Sequence, residues 1–476
     1  MSTSSRPADA GAAPMSIRAR GALMILCGAI FLEGIDVAML NVALPAIRAE
    51  LGLSTTTLSA VVSAYVLGYA GFMLLGGRAA DLFGKRRVFL AALAVFLAFS
   101  GLGGFATEGW MLLVARFVTG MASAFMTPAG LALVTTTFPE GPQRNKAVLV
   151  YAATASAGFS LGLVAGGFLV AISWRWVFFA PVILSALILA LAPRLIADDG
   201  QRRADGRFDI AGAVTLTGAM LAAAYAVTRL ENPGEGLQPA LYAAGAGLLL
   251  ALAFVAIERR SRAPLVRLGL LRSGSLVRAN LAALLFAGAF FGFQFLASLY
   301  LQELRGWTAL ETSLALLAIG IDAVLAPTLT PRLVSRFGNA RVVLGGLLLA
   351  ALSYALFLRI TLDWTYASMA PSMILLGLAF ALAYGPLTIA ATDGIAEEEQ
   401  GLASGLVNTA FQFGAALGLS AVSAISVYSL GADASPAGRL EAMQAALLVP
   451  VAATLLAALV TVAGLRRSRL QPQGAA

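Results

Sequence analysis

Long apolar stretches recur along the whole chain, separated by short breaks that carry arginine, glycine or proline. A helix needs about 20 mainly apolar residues to cross a bilayer. The pattern therefore predicts an all-α polytopic membrane protein with fourteen transmembrane helices, at residues 21–44, 57–76, 88–107, 110–137, 146–171, 176–196, 209–228, 238–257, 277–301, 310–331, 341–360, 365–391, 402–428 and 443–465.

Composition narrows the class of protein further. Of 476 residues, 59% are hydrophobic and 12% are charged, which no soluble globular domain matches. The chain has no histidine and a single cysteine, Cys27, which excludes histidine-based catalysis, His/Cys zinc sites and intrachain disulfides. A phosphate-binding glycine-rich loop is also missing, so ATP-driven transport is not expected. We expect no enzyme activity, no cofactor and no metal.

The basic residues sort by side of the membrane. With the N-terminus placed inside, 25 of the 32 Lys and Arg residues fall on the cytoplasmic side and six fall outside, while Arg116 lies within a span. This bias sets orientation in membrane proteins. It predicts a cell (inner) membrane protein with both termini cytoplasmic, and it accounts for the net charge of +8 without a nucleic-acid partner.

Internal repetition divides the chain into two halves. GRAADLFGKRRVFL from Gly77 is similar to PRLVSRFGNARVVL from Pro331, 254 residues later, and GFSLG from Gly158 is similar to GAALG from Gly414, 256 residues later. Such repeats are common in transporters. We predict five segments: a tail at 1–20, a six-helix bundle at 21–196, linkers with an inserted helix pair at 197–276, a second six-helix bundle at 277–465, and a tail at 466–476.

These motifs resemble the major facilitator superfamily, specifically its fourteen-helix drug:proton antiporter branch. The segment from Gly77 is similar to the superfamily's signature after the second helix. The resemblance implies a gating latch between helix ends, formed by Gly77, Asp81, Gly84, Lys85, Arg86 and Arg87. The acidic sequence EEEQ at 397–400 would give the basic cluster a partner when the halves close.

Three further motifs extend the resemblance over nearly the whole chain. Asp36 followed by NVALP at 41–45 resembles the branch's first helix, and Arg116 with Gly120 resembles the fourth-helix motif. The fifth helix resembles the antiporter motif, with Gly158, Gly162, Gly166 and Gly167. The chain departs from the branch at Leu163, where proline is usual, and at Phe411, where arginine is common.

Ionisable groups inside the spans are the candidates for chemistry, because a charge there is costly and usually faces a cavity or a partner. Glu33 and Asp36 share one face of the first helix. We expect Asp36, Glu33 and Arg116 to couple transport to protons. For substrate binding, the polar residues within the spans are the candidates: Glu33, Asn41, Asn280, Gln294, Asp322, Asn408 and Gln412.

Other roles remain open for several of these residues. Asp36 could hydrogen-bond Asn41 or another helix while Glu33 reaches solvent. Arg116 could pair with the two acids of the first helix or with a substrate anion. Asp322 could be the buried partner of a structural donor.

The leading functional hypothesis is a monomeric, proton-coupled exporter of hydrophobic or cationic small molecules that works by alternating access between the two bundles. A dedicated metabolite exporter or an uptake symporter is the alternative within the same class. A membrane sensor that transports nothing is the alternative from another class.

Overall fold

The computed structural model describes residues 16–138, 142–197, 209–230, 237–261, 268–395, 397–431 and 435–470. Throughout these ranges the regular structure is helical and no strand occurs. The α-helices are α1 Ile17–Leu51, α2 Thr55–Phe83, α3 Lys85–Gly104, α4 Gly109–Thr137, α5 Pro142–Ile172, α6 Trp176–Leu195, α7 Ile210–Leu230, α8 Gln238–Glu258, α9 Gly274–Leu299, α10 Ala309–Leu316, α11 Asp322–Thr328, α12 Thr330–Phe337, α13 Asn339–Phe357, α14 Tyr366–Thr392, α15 Glu397–Leu430 and α16 Pro436–Leu470.

Twelve helical stretches within the described residues are long and apolar enough to cross a membrane. The helices α5 and α7 add shorter apolar stretches, Ala157–Ile172 and Ile210–Ala223. The all-helical membrane class is thus confirmed, whereas the count of fourteen spans stays a prediction. Most of both linkers and most of the two tails lie outside the described residues, and the predicted domain boundaries likewise stay predictions.

The predicted span at 310–331 is not one continuous helix. The chain passes from α10 through a 3-10 segment at Leu317–Ile321 into α11 and then α12. Pro331, at the start of α12, lacks the N–H that would continue the hydrogen bonds of α11. Gly377 of α14 allows close approach to this broken region, since a Cβ there would overlap the Ile319 carbonyl oxygen.

The two halves share local geometry at the repeated motifs. Gly84 and Gly338, 254 residues apart, have φ angles of +94° and +82° and each separates two helices. Such angles favour glycine over residues with a Cβ. The helix contacts also repeat, because a Cβ at Gly158 of α5 would overlap the α1 backbone and one at Gly414 of α15 would overlap the α9 backbone.

Glycines set the distances between the helices that carry the candidate site. Gly162 and Gly166 of α5 face α1, where a Cβ would lie 2.7 Å from Ile35 Cα and 2.9 Å from Met39 Cα, respectively. Small residues of this kind let membrane helices approach closely. Gly167 instead faces α10 of the second half, and a Cβ there would overlap the Ser313 hydroxyl.

The predicted inserted pair, α7 and α8, packs beside α2 and α15. The Thr217 hydroxyl of α7 donates to the Gly71 carbonyl of α2 at 2.6 Å. Ala213 and Phe254, one from each helix of the pair, form a small apolar cluster with residues of α2 and α15. The pair therefore contacts both halves.

At the C-terminal end of α1 the two halves are joined by polar contacts. Arg48 pairs with Glu303 at 2.9 Å, and the Ser298 hydroxyl donates to the Asn41 carbonyl at 2.9 Å. Glu303 belongs to a π-helical turn, Tyr300–Leu304, that continues α9. Single π turns inside helices occur frequently at functional sites.

Candidate functional site

A buried ion pair joins α1 to α4. Arg116 Nη1 donates to Asp36 Oδ2 at 2.6 Å, and each side chain is 2% exposed. One turn after Arg116, Gly120 brings α4 so near α2 that a Cβ would overlap the Tyr65 carbonyl oxygen. Of the partners considered for Arg116, the structure shows the first-helix acid. Asp36 therefore accepts a hydrogen bond from Arg116, whereas the Asn41 amide donates to the Val37 carbonyl.

The Arg116 guanidinium also packs on an aromatic ring. Arg116 Cζ lies 4.3 Å from the centre of the Tyr65 ring, and the Tyr65 hydroxyl donates to Ser123 Oγ at 3.0 Å. Arg116 Nε is buried and has no hydrogen-bond partner among the described residues. Asp36 is therefore the only carboxylate that neutralises Arg116 within the part of the chain that the structure describes.

Glu33, one turn before Asp36 on α1, has a different environment. The Thr127 hydroxyl of α4 donates to Glu33 Oε2, and the Tyr69 hydroxyl of α2 lies near this carboxylate. Within the described ranges, no Lys or Arg forms an ion pair with it. The two acids of α1 therefore differ, since Asp36 is neutralised by a cation and Glu33 is held by neutral hydroxyls.

Gln294 of α9 is the predicted polar residue that the structure buries most completely without a partner. It is 1% exposed, and neither its amide oxygen nor its amide nitrogen has a hydrogen-bond partner among the described residues. It lies one turn from Ser298, which bonds α1, so both face the first half. A buried polar group without a partner costs free energy, which makes this amide available to a ligand or to water.

Most of the other predicted amides bond within their own helices. Three of them donate to the carbonyl four residues earlier: Asn41 to Val37 at 3.1 Å, Asn280 to Leu276 at 2.8 Å and Asn408 to Ser404 at 3.1 Å. Gln412 and Asp322 are half-buried, and Asp322 is the first residue of α11. Their predicted role in substrate binding stays a prediction.

An aromatic cluster lies in the second half of the molecule. Tyr384 of α14 is stacked on Phe380, with ring centres 5.1 Å apart and planes at 11°. The centre of the Phe411 ring of α15 is 4.7 Å from that of Tyr384, and the Phe290 ring of α9 is 4.6 Å from that of Phe380. Tyr384 is 41% exposed, whereas Phe411 and Phe290 are 5% and 3% exposed.

The comparisons with known proteins identify the family. A family model described as Major Facilitator Superfamily matches residues 26–419. This chain belongs to the major facilitator superfamily. The members of this superfamily are membrane transporters.

Individual relatives and a solved structure agree with this identification. The puromycin resistance protein pur8 of Streptomyces alboniger is 34% identical over 85% of this chain and 81% of its own length. The cephamycin export protein CmcT of Amycolatopsis lactamdurans is 34% identical over 87% of this chain and 86% of its own. The POT family transporter PepTSo has the same fold, with a TM-score of 0.68 at 16% identity over 94% of this chain and 99% of that one.

The structure describes only some of the side chains in the superfamily signature after α2. Gly84 ends α2, and Arg86 Nη2 donates to the Pro193 carbonyl near the end of α6 at 2.6 Å, within the first half. A Cβ at Gly77 would lie 3.9 Å from its nearest neighbouring atom, an ordinary van der Waals distance. The Arg87 side chain is exposed, and that of Lys85 is half-buried. The side chains of Asp81 and of residues 397–400 lie outside the described part, so the latch stays a prediction.

Sequence reasoning missed two hydroxyls and much of the aromatic cluster. Ser123 and Thr127 follow Arg116 and Gly120 at helical spacing on one face of α4. Extending the Arg116 motif along that face would have found them. Tyr384 had no comparable signal, because its ring contacts depend on how α14 and α15 pack together.

We predict that the Asp36–Arg116 pair behaves as a unit. Arg116→Gln and Asp36→Asn each leave a buried charge without its partner, which costs about 3–5 kcal/mol, whereas neutralising both removes that penalty. In detergent, the double variant should therefore melt at a higher temperature than either single variant. Glu50→Gln, which removes a partly exposed carboxylate from the same helix, serves as the control and should change melting little. Additive losses in the double variant would show that the two charges are not coupled.

Proposed function

We propose that this protein exports hydrophobic or cationic small molecules from the cell in exchange for protons, as a monomer in the cell membrane. Relatives at 34% identity are named for puromycin resistance and cephamycin export. The observation that carries the coupling is the Glu33 carboxylate, which lies among helices and is held by hydroxyls without a paired cation in the described structure.

An uncompensated carboxylate can couple two ligands through its charge alone. Enclosing an ionised carboxyl in a low-dielectric interior costs several kcal/mol unless the charge is neutralised. A proton neutralises Glu33, and a bound organic cation does so as well. Glu33 can then be enclosed at low free-energy cost only when it is protonated or bound to a cation. Because the halves change position only in these two states, proton and substrate exchange in alternation.

The ion pair next to Glu33 has a different part in this scheme. Protonating Asp36 would leave the Arg116 charge buried and unpaired, which opposes proton uptake there. The contacts therefore favour Glu33 over Asp36 as the exchanging group, although the family resemblance alone pointed to Asp36. Asp36 and Arg116 form a neutral pair that holds α1 and α4 together, and the Arg116 guanidinium packs on the Tyr65 ring.

Alternating access requires contacts between the halves that break and re-form. Arg48 with Glu303, together with the Gln302 amide that donates to the Val42 carbonyl at 3.1 Å, would close the outer side. These contacts are few and polar, and surface ion pairs contribute about 1 kcal/mol or less. They are weak enough to open when the ligand on Glu33 changes.

Exchange at Glu33 predicts that Glu33→Gln uncouples transport from the proton gradient. The neutral amide can be enclosed without a proton, and it attracts no cation. In everted vesicles with an acidic interior, proton-driven uptake of puromycin, lincomycin or ethidium should fall about tenfold or more, since a loss of 1.4 kcal/mol already gives a factor of ten.

The matched control is Glu441→Gln, which changes an exposed carboxylate on α16 and should leave uptake unchanged. Glu33→Gln protein that is inserted at wild-type level and still accumulates any of these compounds at the wild-type rate would contradict the proposal.

The fourteen-helix topology is part of the same proposal and has its own test. If α7 and α8 both cross the membrane, the segment at 231–236 between them lies outside, while both termini lie in the cytoplasm. A reporter inserted at 231–236 should then be active only in its extracellular form, and reporters fused at either terminus only in their cytoplasmic form. A cytoplasmic signal from 231–236 would reduce the number of spans to twelve.

A further inference from the structure

A groove at the surface of the molecule lies between α2, α4 and α7. Its volume is about 470 Å³, which falls in the range of small-molecule sites, about 300–1,000 Å³. Val114 of α4 and Tyr225 of α7 line it and are 41% and 48% exposed, so the groove is open to its surroundings. Because α2 and α4 are apolar enough to cross a membrane, those surroundings are the lipid of the bilayer.

The groove is closed at one end by contacts between the helices. The Thr217 hydroxyl of α7 donates to the Gly71 carbonyl of α2 at 2.6 Å, which holds the two helices together there. Nearly one turn before Gly71, a Cβ at Gly68 would overlap the Phe117 carbonyl oxygen of α4. The backbones of α2 and α4 therefore form a closed floor beneath α7.

One side of α7 supplies both the wall and the open end of the groove. Thr217, Leu221, Tyr225 and Arg229 are spaced four residues apart, which makes them neighbours along the helix surface. Leu221 and Tyr225 line the groove. Arg229 Nε donates to the Tyr225 hydroxyl at 2.6 Å, and Arg229 Cζ lies 4.9 Å from the centre of the Tyr225 ring. These contacts hold a guanidinium beside the open end.

The length of this stripe matches one leaflet of a bilayer. From Thr217 to Arg229 the helix rises about 18 Å at about 1.5 Å per residue. Half of the hydrocarbon core measures about 15 Å. The guanidinium is thus at the level of the lipid headgroups when the closed end of the groove is near the midplane. In the proposed topology this is the outer leaflet.

One polar side chain in the groove has no partner. Ser63 of α2 lines the groove and is 3% exposed, and its hydroxyl has no hydrogen-bond partner among the described residues. Apart from Ser63 and Tyr225, the side chains that line the groove are apolar. A buried hydroxyl without a partner costs free energy, and the ester carbonyl of a lipid would accept its hydrogen bond.

We propose that this groove binds one phospholipid as a structural part of the protein. An acyl chain fills the apolar groove, the phosphate accepts from Arg229, and an ester carbonyl accepts from Ser63. A guanidinium has five N–H donors, so Arg229 can serve Tyr225 and a phosphate oxygen together. Its positive charge favours an anionic lipid such as phosphatidylglycerol. The bound lipid lies against α2, α4 and α7 at once and so holds α7 to the first half.

Native mass spectrometry of the delipidated full-length protein in detergent, titrated with dioleoyl phosphatidylglycerol, measures the affinity for the first lipid. Arg229→Gln removes the charged donor to the phosphate, and Ala64→Phe fills the groove, so each should weaken binding about tenfold. Ser63→Ala removes a neutral hydrogen bond and should weaken binding about threefold. Glycerol 3-phosphate, which has the phosphate without acyl chains, should not displace the lipid.

Two controls make the same exchanges at exposed positions outside the groove, Arg359→Gln after α13 and Ala94→Phe on α3, and both should bind as the wild type does. Unchanged affinity in Arg229→Gln or in Ala64→Phe, or displacement by glycerol 3-phosphate, would overturn the proposal. Unchanged affinity in Ser63→Ala would overturn the ester contact. Displacement of the lipid by ethidium or puromycin would assign the groove to a transported compound and would also overturn the proposal. The measurement involves no transport, so failure of the proposed export function would leave its result unaffected.

Discussion

The cost of an uncompensated charge in a low-dielectric interior governs the arrangement of this protein's candidate site. Three ionisable side chains, Glu33, Asp36 and Arg116, lie together between α1, α2 and α4. Two of them cancel each other in a buried pair with a 2.6 Å contact. The Glu33 carboxylate has hydroxyl groups as neighbours instead of a paired cation. Its charge state therefore depends on whether a proton or a cationic ligand is bound. In a transporter, that responsiveness is what coupling requires.

Helix packing makes this arrangement possible. The fifth-helix glycines, which resemble the antiporter motif, bring α5 against α1, and Gly120 brings α4 against α2. The two α4 side chains that contact the acids of α1, Arg116 and Thr127, thus lie on a helix that packs closely on α2. The glycine motif therefore contributes to function through geometry, since it positions side chains that lie on other helices. Its last glycine, Gly167, contacts the other half of the molecule and so lies where the halves would move against each other.

The sequence alone predicted the helices and the membrane class well, because apolar length is a direct physical requirement of the bilayer. It also predicted that Arg116 pairs with the acids of the first helix or with a substrate anion, and the structure shows the pair with Asp36. It did not predict Thr127 as the donor to Glu33, because a threonine in an apolar helix has no distinctive pattern until the helices facing it are known. Nor did it predict the break between α11 and α12, although Pro331 was visible in the sequence. The aromatic cluster around Tyr384 was not predicted either, since its rings come from three helices that are far apart along the chain.

Proton release on substrate binding tests the central claim most directly, because competition for one carboxylate links the two ligands thermodynamically. Ethidium is added to purified protein in unbuffered detergent solution with a pH indicator, over a series of starting pH values. The account predicts that the wild type releases up to about one proton per cation bound, and that Glu33→Gln releases none while Glu441→Gln behaves as the wild type does. Undiminished release from Glu33→Gln, or binding by the wild type without release at any pH, would contradict exchange at Glu33.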